Sequence, residues 1–161
     1  MYRYYLSLGS NLDDRKRILS KATGELKRSV KIKAESSMHE SKPWGYKDQP
    51  DFLNAALEIE TEMDPKELLS LLKRIEKDLG RQKEKIRWGP RRIDIDIMMG
   101  FSNDKEIFYV SEELTLPHTK LKERNFYLFC LKELKASIKI DDKSIDHWIE
   151  KNRGQDVAKL G

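Results

Sequence analysis

The segment 91–98 contains the sequence feature that most constrains how this chain can fold. Isoleucines and aspartates alternate along it, in the order Ile93, Asp94, Ile95, Asp96 and Ile97. Successive side chains of a β-strand point to opposite faces, so the isoleucines share one side and the aspartates the other. The pattern therefore predicts a strand that is buried on one face and carries two carboxylates on the other, at backbone positions about 6.5–7 Å apart.

A run of basic residues precedes this strand. It contains a single acidic residue, Glu84. Its basic residues are Arg81, Lys83, Lys85, Arg87, Arg91 and Arg92. Two carboxylates at this spacing suit a pair of hard cations about 3.5–4 Å apart, and guanidinium groups suit phosphate oxygens. The combination predicts a site for a polyphosphate with magnesium. The alternative is that the two aspartates only lie on the solvent-exposed face of an antiparallel sheet. Against this alternative, neighbouring aspartates repel each other and aspartate is disfavoured in strands.

Length and composition limit the remaining possibilities. The chain of 161 residues is expected to form a single domain, residues 1–161. A net charge of +4 and a pI of about 9.0 are compatible with phosphate-bearing small molecules or with nucleic acid. The histidines and the single Cys130 show no zinc-binding spacing, and the cysteine lies in an apolar run that indicates a buried position. The absence of a signal-peptide pattern and of an apolar stretch of about 20 residues predicts a cytoplasmic protein with no membrane partner.

Periodicity and capping residues predict the other elements. Before the aspartate strand we expect a strand at Tyr2–Leu8, a turn and helix cap at Gly9-Ser10-Asn11, a helix from about Asp13 to Arg28, strands at Lys31–Glu40 and Phe52–Glu60, and a helix from Asp64-Pro65 to Gly80. After it we expect a hairpin around 102–104, an edge segment at Leu114–His118, and helices at about Glu123–Leu134 and Ser144–Asn152. This order predicts an α+β fold: a ferredoxin-like antiparallel sheet with helices packed on it, plus a C-terminal helical extension.

Two further features suggest binding surfaces. The irregular loop 41–50 contains Trp44 and Tyr46, and a loop of this length is often functional. Its aromatic residues either fold back on the core or form a lid, and Trp88 in the other irregular segment favours the lid. Phe52 and Asn54 share one face of their strand, where a ring could stack on a flat heterocycle and an amide could bond its edge. The alternative is an ordinary exposed pair.

These segments resemble the 6-hydroxymethyl-7,8-dihydropterin pyrophosphokinase family of folate biosynthesis over almost the whole chain. The matching residues are Leu8-Gly9-Ser10-Asn11-Leu12, Asp48-Gln49-Pro50-Asp51-Phe52-Leu53-Asn54-Ala55-Ala56, Arg87-Trp88-Gly89-Pro90-Arg91, Asp94-Ile95-Asp96-Ile97-Met98, Leu116-Pro117-His118 and Glu123-Arg124. The Arg-Trp-Gly-Pro-Arg block followed by Asp-x-Asp-Ile is the most specific part. The resemblance implies transfer of a pyrophosphoryl group from ATP to the hydroxymethyl group of a reduced pterin, with release of AMP.

The resemblance also implies roles for individual residues. The implied ligands of two Mg²⁺ ions are Asp94 and Asp96, and the implied catalytic set adds Arg81, Arg91 and His118. The implied nucleotide contacts are Arg81, Arg87, Arg91, Ile97, Thr115 and His118. Phe52 and Phe126 resemble the pair that sandwiches the pterin, with Asn54 at its edge and with Trp44 and Trp88 in loops that close over the substrates. ATP and the pterin are the implied partners, and we expect a monomer that binds no nucleic acid.

Some positions depart from the family pattern, and other functions were weighed. Lys83 replaces a frequent arginine, Glu113 stands where a basic residue can reach the nucleotide, and Thr119 replaces an aromatic, which affects the expected affinity for ATP rather than the reaction. An RNA-binding module is the rival hypothesis, since ferredoxin-like sheets with exposed aromatics also bind RNA. Paired acids within a basic face oppose a phosphate backbone unless metal ions fill them. A domain without activity is the third possibility, and the complete acid pair argues against it.

Overall fold

The structure, a computed structural model, describes residues 1–43, 47–80 and 91–160. Within these ranges the elements follow in the order β1 (Tyr2–Ser10), α1 (Arg15–Lys27), β2 (Lys31–Glu35), β3 (His39–Ser41), β4 (Phe52–Thr61), α2 (Pro65–Asp78), β5 (Asp94–Ser102), β6 (Lys105–Glu106), β7 (Tyr109–Val110), β8 (Thr115–Leu116), a 3₁₀ turn (Leu121–Glu123), α3 (Asn125–Leu134), β9 (Lys139–Ile140), β10 (Lys143–Ser144), α4 (Ile145–Lys151) and β11 (Val157–Lys159). None of the helices in these ranges is long and apolar enough to span a membrane.

The main sheet has β1 at its centre. Its strand order is β11-β3-β4-β1-β5-β6, and β2 also pairs with β4, every pairing being antiparallel. The unit β1-α1-β2/β3 and the unit β4-α2-β5 interleave, so that β4 and β5 lie on opposite sides of β1. This is the ferredoxin-like α+β arrangement, and the predicted fold class is confirmed.

Helices cover both faces of the sheet. One core cluster joins α1 and α2 to residues such as Leu6, Leu57 and the three isoleucines of segment 93–97. The other joins α3 and α4 to residues such as Tyr5 and Met99. Burial of each isoleucine contributes about 1.5–3 kcal/mol, and a one-residue slip of the strand would exchange the isoleucines for aspartates in the core. The core therefore fixes the register that places both carboxylates on the α3 side.

The second helix begins and ends as its sequence predicts. The Asp64 side chain accepts from the Glu67 backbone N–H, and the Glu67 side chain accepts from the Asp64 backbone N–H, which together form a capping box. Pro65 occupies the first turn, and Gly80 follows the end of the helix with φ of +92°. The signals at both ends agree, so the bounds of α2 were predictable.

The predicted strand Lys31–Glu40 is wrong as a single element. The structure divides it into β2 and β3, which pair with different parts of β4. At the break, the Ser36 hydroxyl accepts the Ala56 N–H at 2.8 Å, and the Ser36 N–H donates to the Ala56 carbonyl at 2.9 Å. A local side-chain bond thus replaces one bond of the ladder, as serine side chains can do.

The expected turn at Gly9-Ser10-Asn11 is also corrected, because Gly9 and Ser10 belong to β1. The turn follows instead, with Asp13 at a φ of +58°, and the Asp14 side chain caps α1 through the Arg17 N–H. Helix α3 starts two residues later than predicted, after the 3₁₀ turn. The C-terminal extension contains the predicted helix α4, and also β11, which joins the sheet beside β3.

We predict that Ser36→Ala lowers the free energy of unfolding by about 1–2 kcal/mol, because the buried Ala56 N–H loses its acceptor. Urea denaturation followed by circular dichroism measures this change. Ser70→Ala is the matched control, since the Ser70 hydroxyl donates to the Lys66 carbonyl on an exposed helix surface. Equal stability of Ser36→Ala and the wild-type protein would contradict the role assigned to this hydroxyl.

Candidate functional site

A pocket opens on the α3 side of the sheet, and we call it the aromatic pocket. Strands β1, β4 and β5 form its floor, α3 and the residue before it form its roof, and β3 with the following residue closes one side. Its lining residues are Ser7, Gly9, Ser41, Lys42, Phe52, Asn54, Arg91, Asp94, Asp96, Arg124, Phe126 and Tyr127. Of the residues predicted to bind a heterocycle, the structure thus brings Phe52, Asn54 and Phe126 together beside the aspartates.

The register of β1 explains how these residues meet. Gly9 lies opposite Asn54 on β4 and opposite Asp94 on β5. A Cβ atom at Gly9 would lie 3.3 Å from the Asn54 Oδ1 atom and 3.6 Å from the Phe52 ring. Only glycine leaves this part of the floor open, so the residue expected in a turn instead shapes the pocket.

The orientation of the Asn54 amide is set by the protein. Asn54 is 1% exposed, and its Nδ2 group donates to the Ser41 Oγ atom at 2.8 Å and to the His39 carbonyl at 3.2 Å. Both amide hydrogens are therefore used within the protein, and the Oδ1 atom lies beside Gly9 on the pocket floor. Asn54 consequently offers the pocket an acceptor, not a donor.

A second pocket, which we call the polar pocket, lies on the other side of Asp96. Its lining residues are Leu69, Ile95, Asp96, Ile97, Glu112, Glu113, Leu114, Thr115, His118 and Thr119. The predicted nucleotide contacts Ile97, Thr115 and His118 all belong to it. Asp96 lines both pockets, so it stands where ligands in the two pockets would meet.

The position of Asp94 depends on the segment that precedes β5. The Arg91 Nη1 atom donates to the Asp94 Oδ2 atom at 3.0 Å. Asn11 fixes Arg91 in turn: its Oδ1 accepts the Arg91 N–H at 2.8 Å, while its Nδ2 donates to the Gln49 side chain and the Pro50 carbonyl. Asn11 thus ties the loop before β4 to the segment that carries Arg91.

Three residues that the sequence analysis did not assign to the site are Tyr127, Arg124 and Glu76. They hold Asp96 and the preceding residue Ile95 in place. The Tyr127 hydroxyl donates to the Asp96 Oδ2 atom at 2.5 Å, and Arg124 donates to the Tyr127 oxygen at 3.0 Å. Burial and the Asp96 charge raise the pKa of Tyr127 well above its ordinary value, so the hydroxyl keeps its proton. The Glu76 carboxylate accepts the Ile95 N–H at 2.8 Å and so fixes the backbone between the two aspartates.

Two of these residues left a signal in the sequence. One is Arg124, which belongs to the pair Glu123-Arg124 that matches the family pattern. Glu76 continues the apolar series Leu68, Leu72 of α2 at a spacing of four residues, and an acid in a buried stripe indicates a buried partner. Tyr127 simply follows Phe126 in an apolar helix. Nothing in that pattern tells which side chain points at Asp96.

His118 is a neutral hydrogen-bond donor. Its Nδ1 atom accepts the Lys120 N–H at 3.0 Å, so the Nε2 atom carries the proton. Burial lowers the pKa of His118 to about 4, and the Arg124 charge is the second cause.

A bulge in β5 positions His118. The pairing of β5 with β1 shifts between Tyr5 and Leu6, and the Met98 carbonyl accepts the His118 N–H.

Several predicted site residues lie outside the described residues: Trp44, Arg81, Arg87 and Trp88. Lys83, one of the departures from the family pattern, lies there too. Glu113, another departure, lines the polar pocket and pairs with Lys73 at 3.5 Å. Thr119 also lines that pocket.

Asp94 and Asp96 suit a hard cation by their chemistry, because both supply carboxylate oxygens on one strand face. Within the described ranges there is no cluster of three or more His, Cys, Asp or Glu side chains that could hold a metal ion. Mg²⁺ is commonly bound by one or two carboxylates together with substrate phosphates and water. The pair therefore fits a cation that arrives with a phosphate ligand rather than one bound in a cage of protein groups.

Comparisons with known proteins show which family this chain is similar to. A family model described as 7,8-dihydro-6-hydroxymethylpterin-pyrophosphokinase matches residues 5–136. The 2-amino-4-hydroxy-6-hydroxymethyldihydropteridine pyrophosphokinase of Aquifex aeolicus is 39% identical over 138 residues, which cover 86% of this chain and 83% of the relative. The protein of the same name from Bacillus subtilis is 38% identical over 157 residues, covering 92% of this chain and 91% of the relative.

The fold is also similar to that of solved structures. The crystal structure of Plasmodium falciparum HPPK-DHPS with SDX-DHP superposes with a TM-score of 0.68 at 17% sequence identity. The match covers 94% of this chain and 43% of that chain, so this chain spans less than half of the solved protein.

We predict that the low pKa of His118 makes the fold less stable in acid. The unfolded chain takes up a proton at this residue as the pH falls through about 6.5, whereas the folded protein does so only near pH 4. Between pH 7 and pH 5 the wild-type protein should therefore lose about 1–2 kcal/mol more of its unfolding free energy than His118→Gln does. Denaturant titrations at both pH values measure the difference. A His118→Gln variant as sensitive to pH as the wild type would contradict this assignment.

Proposed function

Because the chain belongs to the 7,8-dihydro-6-hydroxymethylpterin-pyrophosphokinase family, we propose that it transfers a pyrophosphoryl group from ATP to the hydroxymethyl group of 6-hydroxymethyl-7,8-dihydropterin. AMP and the pterin diphosphate are the products. The observation that carries the proposal is the position of Asp96 in the walls of both pockets. The pterin occupies the aromatic pocket and the triphosphate reaches Asp96 from the polar pocket.

The aromatic pocket supplies the recognition of the pterin. Phe52 and Phe126 line it and offer ring faces to a flat heterocycle. The Asn54 Oδ1 atom accepts a hydrogen bond from an N–H group at the heterocycle edge, since its own amide hydrogens are used within the protein. A pterin has several such groups, whereas a purely apolar ring would leave this buried acceptor without a partner.

The polar pocket and the basic residues supply the contacts to ATP. His118 donates its Nε2 hydrogen to a phosphate oxygen, and Thr115 and Ile97 contact the nucleotide. Arg91 places a guanidinium beside the transferred group, with Arg81, Arg87, Trp44 and Trp88 assigned to substrate contact by the resemblance alone. Charge neutralisation and positioning, rather than covalent catalysis, are what phosphoryl transfer requires of a protein.

Two Mg²⁺ ions belong to this proposal, with Asp94 and Asp96 as their protein ligands. When bound, the ions supply positive charge that offsets the triphosphate. The protein holds the two carboxylates in place through Arg91, Tyr127 and the Glu76–Ile95 bond. His118 is assigned no role as a general base, because its Nδ1 atom is occupied and its Nε2 atom already carries a proton.

The rival function, RNA binding, is less well supported by the fold. An RNA-binding ferredoxin-like sheet displays aromatic residues of its strands on an open face. Here α1 and α2 cover one face, and α3 and α4 cover the other. We therefore propose that the partners are ATP and the pterin, and not nucleic acid.

The test of the function combines turnover with binding. Purified protein, ATP, Mg²⁺ and the hydroxymethylpterin should give AMP in amounts equal to the pterin diphosphate, as measured by liquid chromatography. Isothermal calorimetry with a non-hydrolysable ATP analogue should show Mg²⁺-dependent binding. Release of ADP or of free pyrophosphate as the main product would contradict the proposed reaction.

We predict that Asp96→Ala lowers the rate of AMP formation at least about 100-fold, because a protein ligand of the metal is lost. The fold should persist, since Asp96 belongs to neither of the core clusters. Glu62→Ala removes an exposed carboxylate whose partner among the described residues is the N-terminal amine, and it should keep wild-type turnover. Wild-type turnover in Asp96→Ala would show that the metal assignment is wrong.

We predict that Phe126→Ala weakens binding of the pterin at least about tenfold, because a partly buried ring that stacks on the pterin is removed. Binding of the ATP analogue should change less than about twofold. The control is Phe129→Ala, one helical turn further along α3, where the ring lies beside His39 and lines neither pocket. Calorimetry with each ligand separately measures both affinities, and equal losses for the two ligands would reject the stacking role.

A further inference from the structure

We propose that Tyr127 is a positioning residue that holds the Asp96 carboxylate in one orientation and thereby strengthens the binding of a divalent cation there. The inference rests on the proposed function, in which Asp96 is a metal ligand. It adds to that function a residue that contacts Asp96 and is itself held by Arg124.

The direction of the two hydrogen bonds follows from hydrogen counting. A guanidinium group has donors only, so the Tyr127 oxygen accepts from Arg124 at 3.0 Å. The phenol has a single hydrogen, which must then point to the Asp96 Oδ2 atom at 2.5 Å. Arg124, Tyr127 and Asp96 form a chain in which each group fixes the orientation of the next.

The Tyr127 ring has little freedom to move. It is 1% exposed and packs in the core cluster of α3 and α4. The His118 ring meets it edge-on at 5.2 Å between centroids, and the Phe126 ring lies at 4.7 Å. The position of the phenol oxygen is therefore set by the fold, and it holds one oxygen of Asp96 at a fixed point.

Asp96 and Asp94 differ in the charge of the group that orients them, because the donor to Asp96, the Tyr127 hydroxyl, is neutral. Asp94 forms an ion pair with Arg91, which offsets part of its negative charge. Tyr127 orients Asp96 through a neutral hydroxyl and leaves the charge of the carboxylate available to a cation. Partners that orient a metal ligand in this way commonly change metal affinity 10- to 100-fold when they are removed.

The test is the variant Tyr127→Phe, which keeps the ring and removes only the hydroxyl. Mn²⁺ binding in the presence of a non-hydrolysable ATP analogue, followed by electron paramagnetic resonance, should be about 10-fold weaker than in the wild-type protein. The Mg²⁺ concentration for half-maximal activity should rise by a similar factor. The affinity for the pterin, measured by calorimetry, should change less than about twofold because the ring remains.

A matched control separates positioning from general stability. Tyr4 is another fully buried tyrosine with a hydrogen-bonded hydroxyl, but its partner is the Met63 carbonyl and it lies in the other core cluster. Tyr4→Phe should lower the melting temperature and leave Mn²⁺ binding at the wild-type value.

The outcomes distinguish this inference from the proposed function. If the wild-type protein binds Mn²⁺ and Tyr127→Phe binds it equally or more tightly, the inference is overturned and the proposed function stands. If the wild-type protein binds no Mn²⁺ with the nucleotide analogue, both are overturned. An equal loss of Mn²⁺ affinity in Tyr4→Phe would also overturn the inference, since it would assign the effect to stability alone.

Discussion

The pairing of β1 with a strand on each side is the interaction on which the site depends. β1 bonds β4 along one edge and β5 along the other, so a single residue, Gly9, faces both Asn54 and Asp94. Residues that are 40 positions apart in the sequence thereby become neighbours across one glycine. The isoleucines buried beneath β5 keep this register, because any slip would place aspartates in the core. Core packing and site geometry are consequences of the same alternation.

The groups that surround the two aspartates are fixed by partners from several elements. Glu76 reaches from α2 to the backbone of Ile95, Asn11 holds the backbone of Arg91, and Tyr127 descends from α3 to Asp96. Each partner is at least partly buried, where a hydrogen bond is stronger than in water and an unpaired group is costly. The described part of the site around the two aspartates is therefore organised without a ligand, which is what positioning and charge neutralisation require of the protein.

The sequence was informative where a signal is local and much less so where a partner is distant. Alternation placed the isoleucines and aspartates on opposite faces, and the capping residues Asp64 and Glu67 marked the second helix. At the break between β2 and β3, the Ser36 hydroxyl accepts the N–H of Ala56, twenty residues away. No local sequence pattern predicts this hydrogen bond. Tyr127 was missed for the same reason. Alternation put Phe52 and Asn54 on one strand face, but the expectation that Phe126 joins them followed from family resemblance, since periodicity alone cannot bring a helix onto a particular strand.

The position of Asp96 in the walls of both pockets has a thermodynamic consequence. One carboxylate forms part of the wall of two cavities, so filling either cavity alters the electrostatic surroundings in the other. Thermodynamic linkage makes this effect reciprocal. If a ligand in one pocket changes the dissociation constant of a ligand in the other by some factor, the second ligand changes the dissociation constant of the first by the same factor. Under the proposed function, Asp96 is therefore the side chain through which the pterin and the nucleotide influence each other's binding, whatever the order in which they bind.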